Sequence, residues 1–202
     1  MRPCWSRSIA GCVAAAAIAT TASGQSRPAV TDPRDGKQYS VVAIAGMVWM
    51  GRNLDFAAPG SWCPQGDEQL CRSMGRLYPW SLAVVACPVG WHLSSEDEWQ
   101  RLEAFLGMPP EEIARERLRG AGLGDLLKQG GSSGLEFPLS GWRTARGTFA
   151  VGNGSDRAAA LWTSTKAGDD EAWHRDVSSA RSGIWRSAVQ LDYSLSVRCV
   201  AD

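Results

Sequence analysis

The alternation of apolar and polar residues predicts strands at the start of the chain, helices in its middle and strands again at its end. Residues 37–44 and 47–50 have the composition of strands, and Ala45-Gly46 between them suits a two-residue turn, which predicts a hairpin. From Gly134 onward the apolar runs are short and separated by Gly, Ser, Asn and Asp, as in strands joined by turns. The strands predicted there are 135–139, 160–165, 172–177, 183–190 and 194–200.

Helix signals occupy the middle of the chain. A short apolar helix is predicted at 79–86, and Cys87-Pro88 ends it because proline cannot continue a helix. The strongest signal follows, since Ser95 and Glu98 form a capping box and the next ten residues place apolar side chains on one face. Further helical turns are predicted at 110–119 and 122–129. This order of elements is typical of an α+β domain.

The N-terminus has the features of an export signal. Arg2 and Arg7 precede an apolar run that ends in Ala22-Ser23-Gly24, where small residues suit signal peptidase, and cleavage is predicted before Gln25. An alternative is a lipoprotein box at residues 9–12, although its apolar run would then follow the cysteine instead of preceding it. No membrane span is predicted, because a spanning helix needs about 20 apolar residues.

Length and charge narrow the class of protein. At 202 residues the chain is long enough for one sizeable core. Its twenty-one basic and twenty-one acidic residues balance, and loss of the signal peptide would leave nineteen against twenty-one. A protein with so little net charge is not expected to have nucleic acid or an anionic membrane as its main partner. The predicted organisation is a signal peptide (1–24), a flexible leader (25–33) and one folded domain (34–202).

Four cysteines follow the signal peptide, namely Cys63, Cys71, Cys87 and Cys199. An even number in an oxidising compartment favours two disulfides over a metal site, and no pair has the CxxC spacing of a zinc site. Three connectivities are open. The spacings favour a local bridge, Cys63–Cys71, within the stretch 55–76 that is predicted to be irregular, and a long-range bridge, Cys87–Cys199.

Several segments resemble one bacterial family, the Fibrobacter succinogenes major paralogous domain. The resemblance covers nearly all of the chain after the signal peptide and includes the order of the segments. The chain departs from the family at Ser94, where proline is usual, and in the long, charged stretch 107–133. The matching segments are DGKQYSVVAIAGMVWMGRNL (35–54), WC (62–63), GRLYPWSLA (75–83), CPVGWHLSSEDEWQRL (87–102), ALWTST (160–165), AW (172–173) and SLSVRCV (194–200).

A wider resemblance concerns the fold. A helix that ends in a cysteine, a His-Leu turn, a second helix and a partner cysteine in the last strand are similar to the C-type-lectin-like fold. That resemblance implies small antiparallel sheets, two main helices and two disulfides. The calcium-dependent sugar-binding motifs of C-type lectins are not found in the sequence. Formylglycine-generating enzymes have a related fold, but a shared fold does not establish a shared function.

The two histidines are candidates for chemistry. His92 lies in the Gly-Trp-His-Leu turn without a nucleophile or orienting carboxylate fixed beside it, so we expect an internal, hydrogen-bonded structural residue. His174 lies near acidic residues at 169–171 and 176, which could bind Ca²⁺ through oxygen atoms. They lack the ligand spacing of an EF-hand loop, so a solvated acidic turn is the preferred interpretation. No catalytic residue, metal or cofactor is predicted.

Nine of the ten tryptophans follow the signal peptide, and exposed aromatic rings can stack on sugars. The pattern predicts that those at 49, 91, 99 and 162 are buried, whereas Trp62 and three others lie in or beside polar loops. The predicted ligand-binding residues, on a loop face built from 140–190, are Trp142, Arg143, Trp173, His174 and Trp185.

The sequence therefore favours a non-catalytic binding module for a glycan or an extracellular protein, located in the periplasm, at the cell surface or outside the cell. One alternative is an oxidoreductase of the formylglycine-generating kind, which would require a free thiol. The other is a structural component of the cell envelope, which would show a broad apolar patch.

Overall fold

The computed structural model describes residues 28–152 and 154–202 and contains, within them, thirteen strands and five α-helices. The strands are β1 (Ala29–Thr31), β2 (Gln38–Ile44), β3 (Met47–Met50), β4 (Leu77–Pro79), β5 (Trp91–Leu93), β6 (Arg117–Arg119), β7 (Trp142–Arg143), β8 (Phe149–Ala150), β9 (Ala158–Lys166), β10 (Glu171–Ser178), β11 (Ile184–Gln190), β12 (Ser194–Ser196) and β13 (Cys199–Ala201). The helices are α1 (Glu68–Met74), α2 (Trp80–Ala86), α3 (Glu96–Phe105), α4 (Pro110–Ile113) and α5 (Leu123–Leu127). The protein is thus a mixed α and β structure in which sheets predominate.

The strands form two sheets. The smaller sheet is antiparallel, with the strand order β1-β2-β3-β13-β5. The larger sheet has the order β6-β11-β10-β9-β12-β7-β8, and β4 also pairs with β12. Its β9–β12 contact is parallel, so this sheet is mixed rather than purely antiparallel as predicted. The last predicted strand, 194–200, divides into β12 and β13, which lie one in each sheet.

The folded region begins earlier than predicted. Strand β1 pairs with β2, and the Asp32 side chain that follows it is fully buried and forms a 2.6 Å ion pair with Arg34. Residues 28–33 therefore belong to the fold rather than to a flexible leader at 25–33. The predicted signal peptide, its cleavage before Gln25, and residues 25–27 lie outside the described residues.

The elements with strong local signals are confirmed. The β2–β3 hairpin turns at Ala45 and Gly46, whose φ angles of 55° and 73° are those of a tight two-residue turn. Helix α3 begins with the predicted capping box between Ser95 and Glu98. Just before it, Ser94 accepts a hydrogen bond from Nε1 of the buried Trp99 at 3.0 Å, so the residue that departs from the family pattern serves the core.

Three weaker predictions were wrong. The helix at 110–119 ends at Ile113, because residues 117–119 pair with β11 as strand β6. Residues 135–139 do not form a strand, since Glu136 has a φ of 51° and only an isolated bridge remains at Phe137. The stretch 55–76 is not wholly irregular, because Asp67 accepts a hydrogen bond from the Gln69 amide and starts helix α1.

Both predicted disulfides are confirmed. Cys63–Cys71 connects α1 to the turn before it, and Cys87–Cys199 connects the end of α2 to β13 across 112 residues of sequence. The long bridge therefore fixes α2 to the smaller sheet, while β4 and β12 fix the same region to the larger sheet.

Two hydrophobic clusters lie on opposite faces of the larger sheet. Alternation along β9 places Ala160 and Trp162 in one cluster, with α2, and Ala159 and Leu161 in the other, with α3. Strand β9 is therefore buried on both faces, which accounts for its almost unbroken apolar run. No helix among the described residues has the length and apolar character needed to cross a membrane.

Buried charges join α3 to the larger sheet. Arg175 contacts Glu96 at 2.8 Å and Glu103 at 2.7 Å, Arg119 contacts Glu103 at 3.0 Å, and Arg186 contacts Glu96 at 2.8 Å. Burial raises the pKa of Glu96, but the guanidinium groups of Arg175 and Arg186 outweigh this effect and lower it to about 2. Glu96 is therefore an ionised partner of Arg175 and Arg186 at neutral pH.

Candidate binding site

A cavity of about 270 Å³ opens on the α2 side of the larger sheet. Strands β7, β9, β10, β11 and β12 each contribute to its wall, and Tyr193 closes it from the turn between β11 and β12. The lining residues are Trp142, Ala160, His174, Asp176, Val189, Tyr193 and Leu195. The wall is thus aromatic and aliphatic, with one imidazole and one carboxylate.

Strand alternation brings the two polar side chains to this face. His174 and Asp176 are two residues apart on β10, so they point to the same side, whereas Trp173 and Arg175 point to the other. The neighbouring strand β9 places Trp162 opposite His174, and the two rings meet edge to face with centroids 6.4 Å apart. The core packing of Trp162 therefore fixes the His174 ring.

His174 and Asp176 have unused hydrogen-bonding capacity. Nε2 of His174 lies 3.3 Å from Oδ1 of Asp176, close enough for an ion pair but without hydrogen-bond geometry. Among the described residues, neither Nδ1 of His174 nor Oδ1 of Asp176 has a hydrogen-bond partner, although both atoms are buried. Burying an unpaired polar atom costs about 1–3 kcal/mol, so such atoms in a cavity are typical of a binding site.

The structure brings some of the predicted ligand-binding residues together and separates others. Trp142 and His174 line the cavity. Trp185 lies on the same face opposite Asp176, but outside the lining, with its Nε1 donating to Ser187 at 3.0 Å. Trp173 lies on the other face under the Arg186 guanidinium, 3.7 Å from its ring centroid.

Arg143 is also outside the cavity lining and stacks on the Trp62 ring at 4.0 Å. The predicted loop face is a set of strands instead, since Trp142, His174 and Trp185 lie in β7, β10 and β11. Sequence reasoning missed Tyr193 and the role of Asp176 in the lining. The i, i+2 spacing of His174 and Asp176 in a predicted strand was the signal that could have paired them.

Of the tryptophans predicted to be buried, Trp49, Trp99 and Trp162 are fully buried, whereas Trp91 is only half-buried. Trp91 lies in β5, which pairs only with β13 and forms the edge of the smaller sheet. An edge strand has one side without a neighbour, which explains the partial exposure of its first residue.

His92 is hydrogen-bonded, as predicted, but it is not internal. Its Nδ1 lies 2.7 Å from Oδ1 of Asp202 and its Nε2 lies 2.8 Å from Oε1 of Glu98, while 40% of the side chain remains exposed. Burial lowers the pKa of His92, but the hydrogen bonds to Asp202 and Glu98 outweigh burial, so the pKa lies above its ordinary value. His92 therefore connects β5 to the capping box of α3 and to residue 202.

This arrangement predicts a pH-dependent contribution to stability. A histidine with a raised pKa in the folded state stabilises the fold below its unfolded pKa of about 6.5 and loses that contribution as pH rises through the folded value. His92→Gln should therefore lower the free energy of unfolding more at about pH 6 than at about pH 9. Urea unfolding of the wild type and the variant at both pH values measures the difference. An equal loss at both would show that the His92 charge is not coupled to folding.

The acidic turn that was weighed as a Ca²⁺ site lies between β9 and the start of β10. Residues 169–171 are exposed, and the Asp169 carbonyl accepts a hydrogen bond from Nζ of Lys166 at 3.0 Å. In the described part of the chain, the one group of three metal-binding side chains is Cys63, Glu68 and Cys71. Its two sulfur atoms are bonded to each other and cannot act as thiolate ligands. All four cysteines of the described residues are likewise in disulfides.

Comparison with known proteins gives one result. The sequence model of the Fibrobacter succinogenes major domain matches residues 42–201, which is more than half of the chain. No match was found among curated proteins or among solved structures. The matched range includes both disulfides and every residue that lines the cavity.

Proposed function

The chain belongs to the Fibrobacter succinogenes major domain family, and we propose that it is a non-catalytic, exported binding module that recognises a glycan through the cavity on its larger sheet. The observation that carries the proposal is the lining itself. Trp142 and Tyr193 supply aromatic surface, and His174 and Asp176 supply buried polar atoms without partners among the described residues. An apolar cavity with a few convergent polar groups is the usual form of a small-ligand site.

The size of the cavity favours a glycan over an extracellular protein. Small-molecule pockets measure about 300–1,000 Å³, and this cavity, at about 270 Å³, lies just below that range. Protein interfaces instead bury about 800 Å² on each partner. A single ring of a sugar chain is the kind of group that such a cavity can hold while the rest of the ligand extends into solvent.

The disulfides support export. Structural disulfides persist in oxidising compartments and are rare in the cytosol, so two of them fit a protein that acts in the periplasm, at the cell surface or outside the cell. The Cys87–Cys199 bridge from a helix to the C-terminal strand is also the feature that supports a C-type-lectin-like fold. The proposed recognition surface would then lie on the sheet of that scaffold.

A glycan array tests the proposal. The folded domain should retain a defined subset of glycans, and Trp142→Ala should weaken their binding about tenfold, since a stacked aromatic ring contributes about 1–3 kcal/mol. Trp62→Ala is the matched control, because Trp62 is 40% exposed and lies outside the cavity lining. Failure of the wild type to retain any glycan, or equal binding by Trp142→Ala, would contradict the proposal.

A further inference from the structure

We infer that the cavity binds one uncharged sugar ring, whose hydroxyl groups hydrogen-bond to the imidazole of His174 and donate hydrogen bonds to the carboxylate of Asp176. This inference rests on the proposed glycan recognition and adds the chemical class of the ligand. It excludes acidic sugars such as uronic acids. It also predicts which atoms of the protein the ligand contacts.

The polar side chains of the cavity set the direction of the hydrogen bonds. A carboxylate can only accept hydrogen bonds, and a neutral imidazole donates from one nitrogen and accepts at the other. A hydroxyl group can both donate and accept, so it can pair with either tautomer of His174. The carboxylate of Asp176 requires a donor, so the ligand must supply at least one O–H or N–H group.

The two polar side chains of the cavity lie side by side. Both stand on one face of β10, with Nε2 of His174 and Oδ1 of Asp176 3.3 Å apart. Hydroxyl groups on neighbouring carbons of one ring suit two polar groups at such a spacing. Water or a single alcohol would supply such a donor, but neither would cover the aromatic and aliphatic wall of the same cavity.

The charge of the lining disfavours an anionic ligand. None of the described residues in the lining is lysine or arginine, and the lining contains the carboxylate of Asp176. Arg117 and Arg181 flank the ring of Trp185, with guanidinium carbons 5.6 and 5.4 Å from its centroid, and both lie outside the lining. An anionic ligand would therefore meet a negative charge without a basic partner in the cavity.

The apolar wall requires a ligand with carbon surface of its own. The rings of Trp142 and Tyr193, together with Val189 and Leu195, present carbon surface that must be covered in the complex. A sugar ring has hydroxyl groups along its edge and C–H groups on its faces, so it meets both the polar pair and the apolar wall. A small quaternary ammonium ion would neutralise Asp176 but has no N–H or O–H group to donate to either side chain.

The experiment uses methyl glycosides of glucose, galactose and mannose as probes, each with the matching uronic acid. The chain has two histidines, so its imidazole ¹⁵N spectrum contains one reporter in the cavity and one, His92, as an internal control. The imidazole ¹⁵N signals of His174 should shift with a neutral glycoside while those of His92 stay unchanged. The matching uronic acid should bind at least about tenfold more weakly.

Asp176→Asn keeps the size of the side chain and removes its charge. It should weaken binding of the neutral glycoside about tenfold, because a hydrogen bond to a charged acceptor is stronger than one to a neutral acceptor. The dissociation constants of the neutral glycoside and its matching uronic acid should then differ by no more than about threefold, because the negative charge that disfavours the acid is gone. Asp192→Asn is the matched control, since Asp192 is exposed and adjacent to Tyr193 but outside the lining. This variant should bind like the wild type.

Three results would overturn the inference. The first is equal binding of the uronic acid and the neutral glycoside, and the second is tighter binding of tetramethylammonium than of any glycoside. The third is an unchanged His174 signal when glycans bind elsewhere on the domain, which would leave the domain a glycan-binding module but would contradict its use of the cavity. If neither the array nor the methyl glycosides show binding, the proposed function and this inference fail together.

Discussion

Replacement of Glu103 by alanine is expected to lower the free energy of unfolding by about 3–5 kcal/mol. Glu103 is fully buried in α3 and contacts both Arg175 and Arg119 at 2.7–3.0 Å. Removing its carboxylate would leave the buried guanidinium group of Arg119 without its carboxylate partner and Arg175 with Glu96 alone, and an uncompensated buried charge is among the most destabilising changes in a protein. Equilibrium unfolding in urea, followed by tryptophan fluorescence, measures the loss.

Asp97→Ala is the matched control for this change. Asp97 carries the same charge in the same helix but is exposed, so its replacement should change stability by no more than about 0.5 kcal/mol. A loss below about 1 kcal/mol for Glu103→Ala would contradict a stabilising role for the buried charge pairs. It would indicate that Arg119 and Arg175 find other partners when Glu103 is absent.

Removal of the Cys87–Cys199 bridge is expected to have a similarly large effect, and a larger one than removal of Cys63–Cys71. The two bridges close segments with sequence separations of 112 and 8 residues. Because a longer closed loop restricts the unfolded chain more, the double alanine variants should lose about 4–5 and about 2–3 kcal/mol respectively. The same urea measurement on both variants, prepared without reductant, gives the comparison. Equal losses would contradict the loop-entropy explanation for the long bridge.

The parts of the fold that the sequence predicts well depend on neighbouring residues. The β2–β3 turn requires a positive φ at Ala45 and Gly46, and the start of α3 requires Ser95 and Glu98, so each signal lies within four residues. The disulfides are the exception, because the one short and one long spacing favoured the observed pairing although Cys87 and Cys199 lie 112 residues apart.

The parts that sequence reasoning missed depend on distant residues. The charged stretch 107–133 looked helical, but Arg119 is held in strand β6 by its pairing with β11, 65 residues away, and by its contact with Glu103. Leu135 and Phe137 have the composition of a strand, yet the left-handed backbone at Glu136 prevents one. Tertiary contacts outweigh local propensity at both places.

The candidate site likewise has residues that the sequence identifies and an arrangement that depends on distant contacts. Trp142 and His174 were identifiable as aromatic and titratable residues in a polar part of the sequence. Their meeting in one cavity depends on the register of β10 with β9, on the parallel contact between β9 and β12 and on the pairing of β12 with β7, which together place four strands side by side. Tyr193 could not be assigned to the site without that topology, because its position follows from the turn between β11 and β12.

Recognition of a glycan in the cavity can be located directly by mapping backbone amide shifts in the ¹⁵N-labelled domain as a glycan retained on the array is added. If the ligand occupies the cavity, the largest shifts should fall on β7, β10, β11 and the turn at Tyr193. The largest shifts at the exposed turn 169–171, or on the outer face of α3, would contradict binding in the cavity and would place recognition elsewhere on the domain.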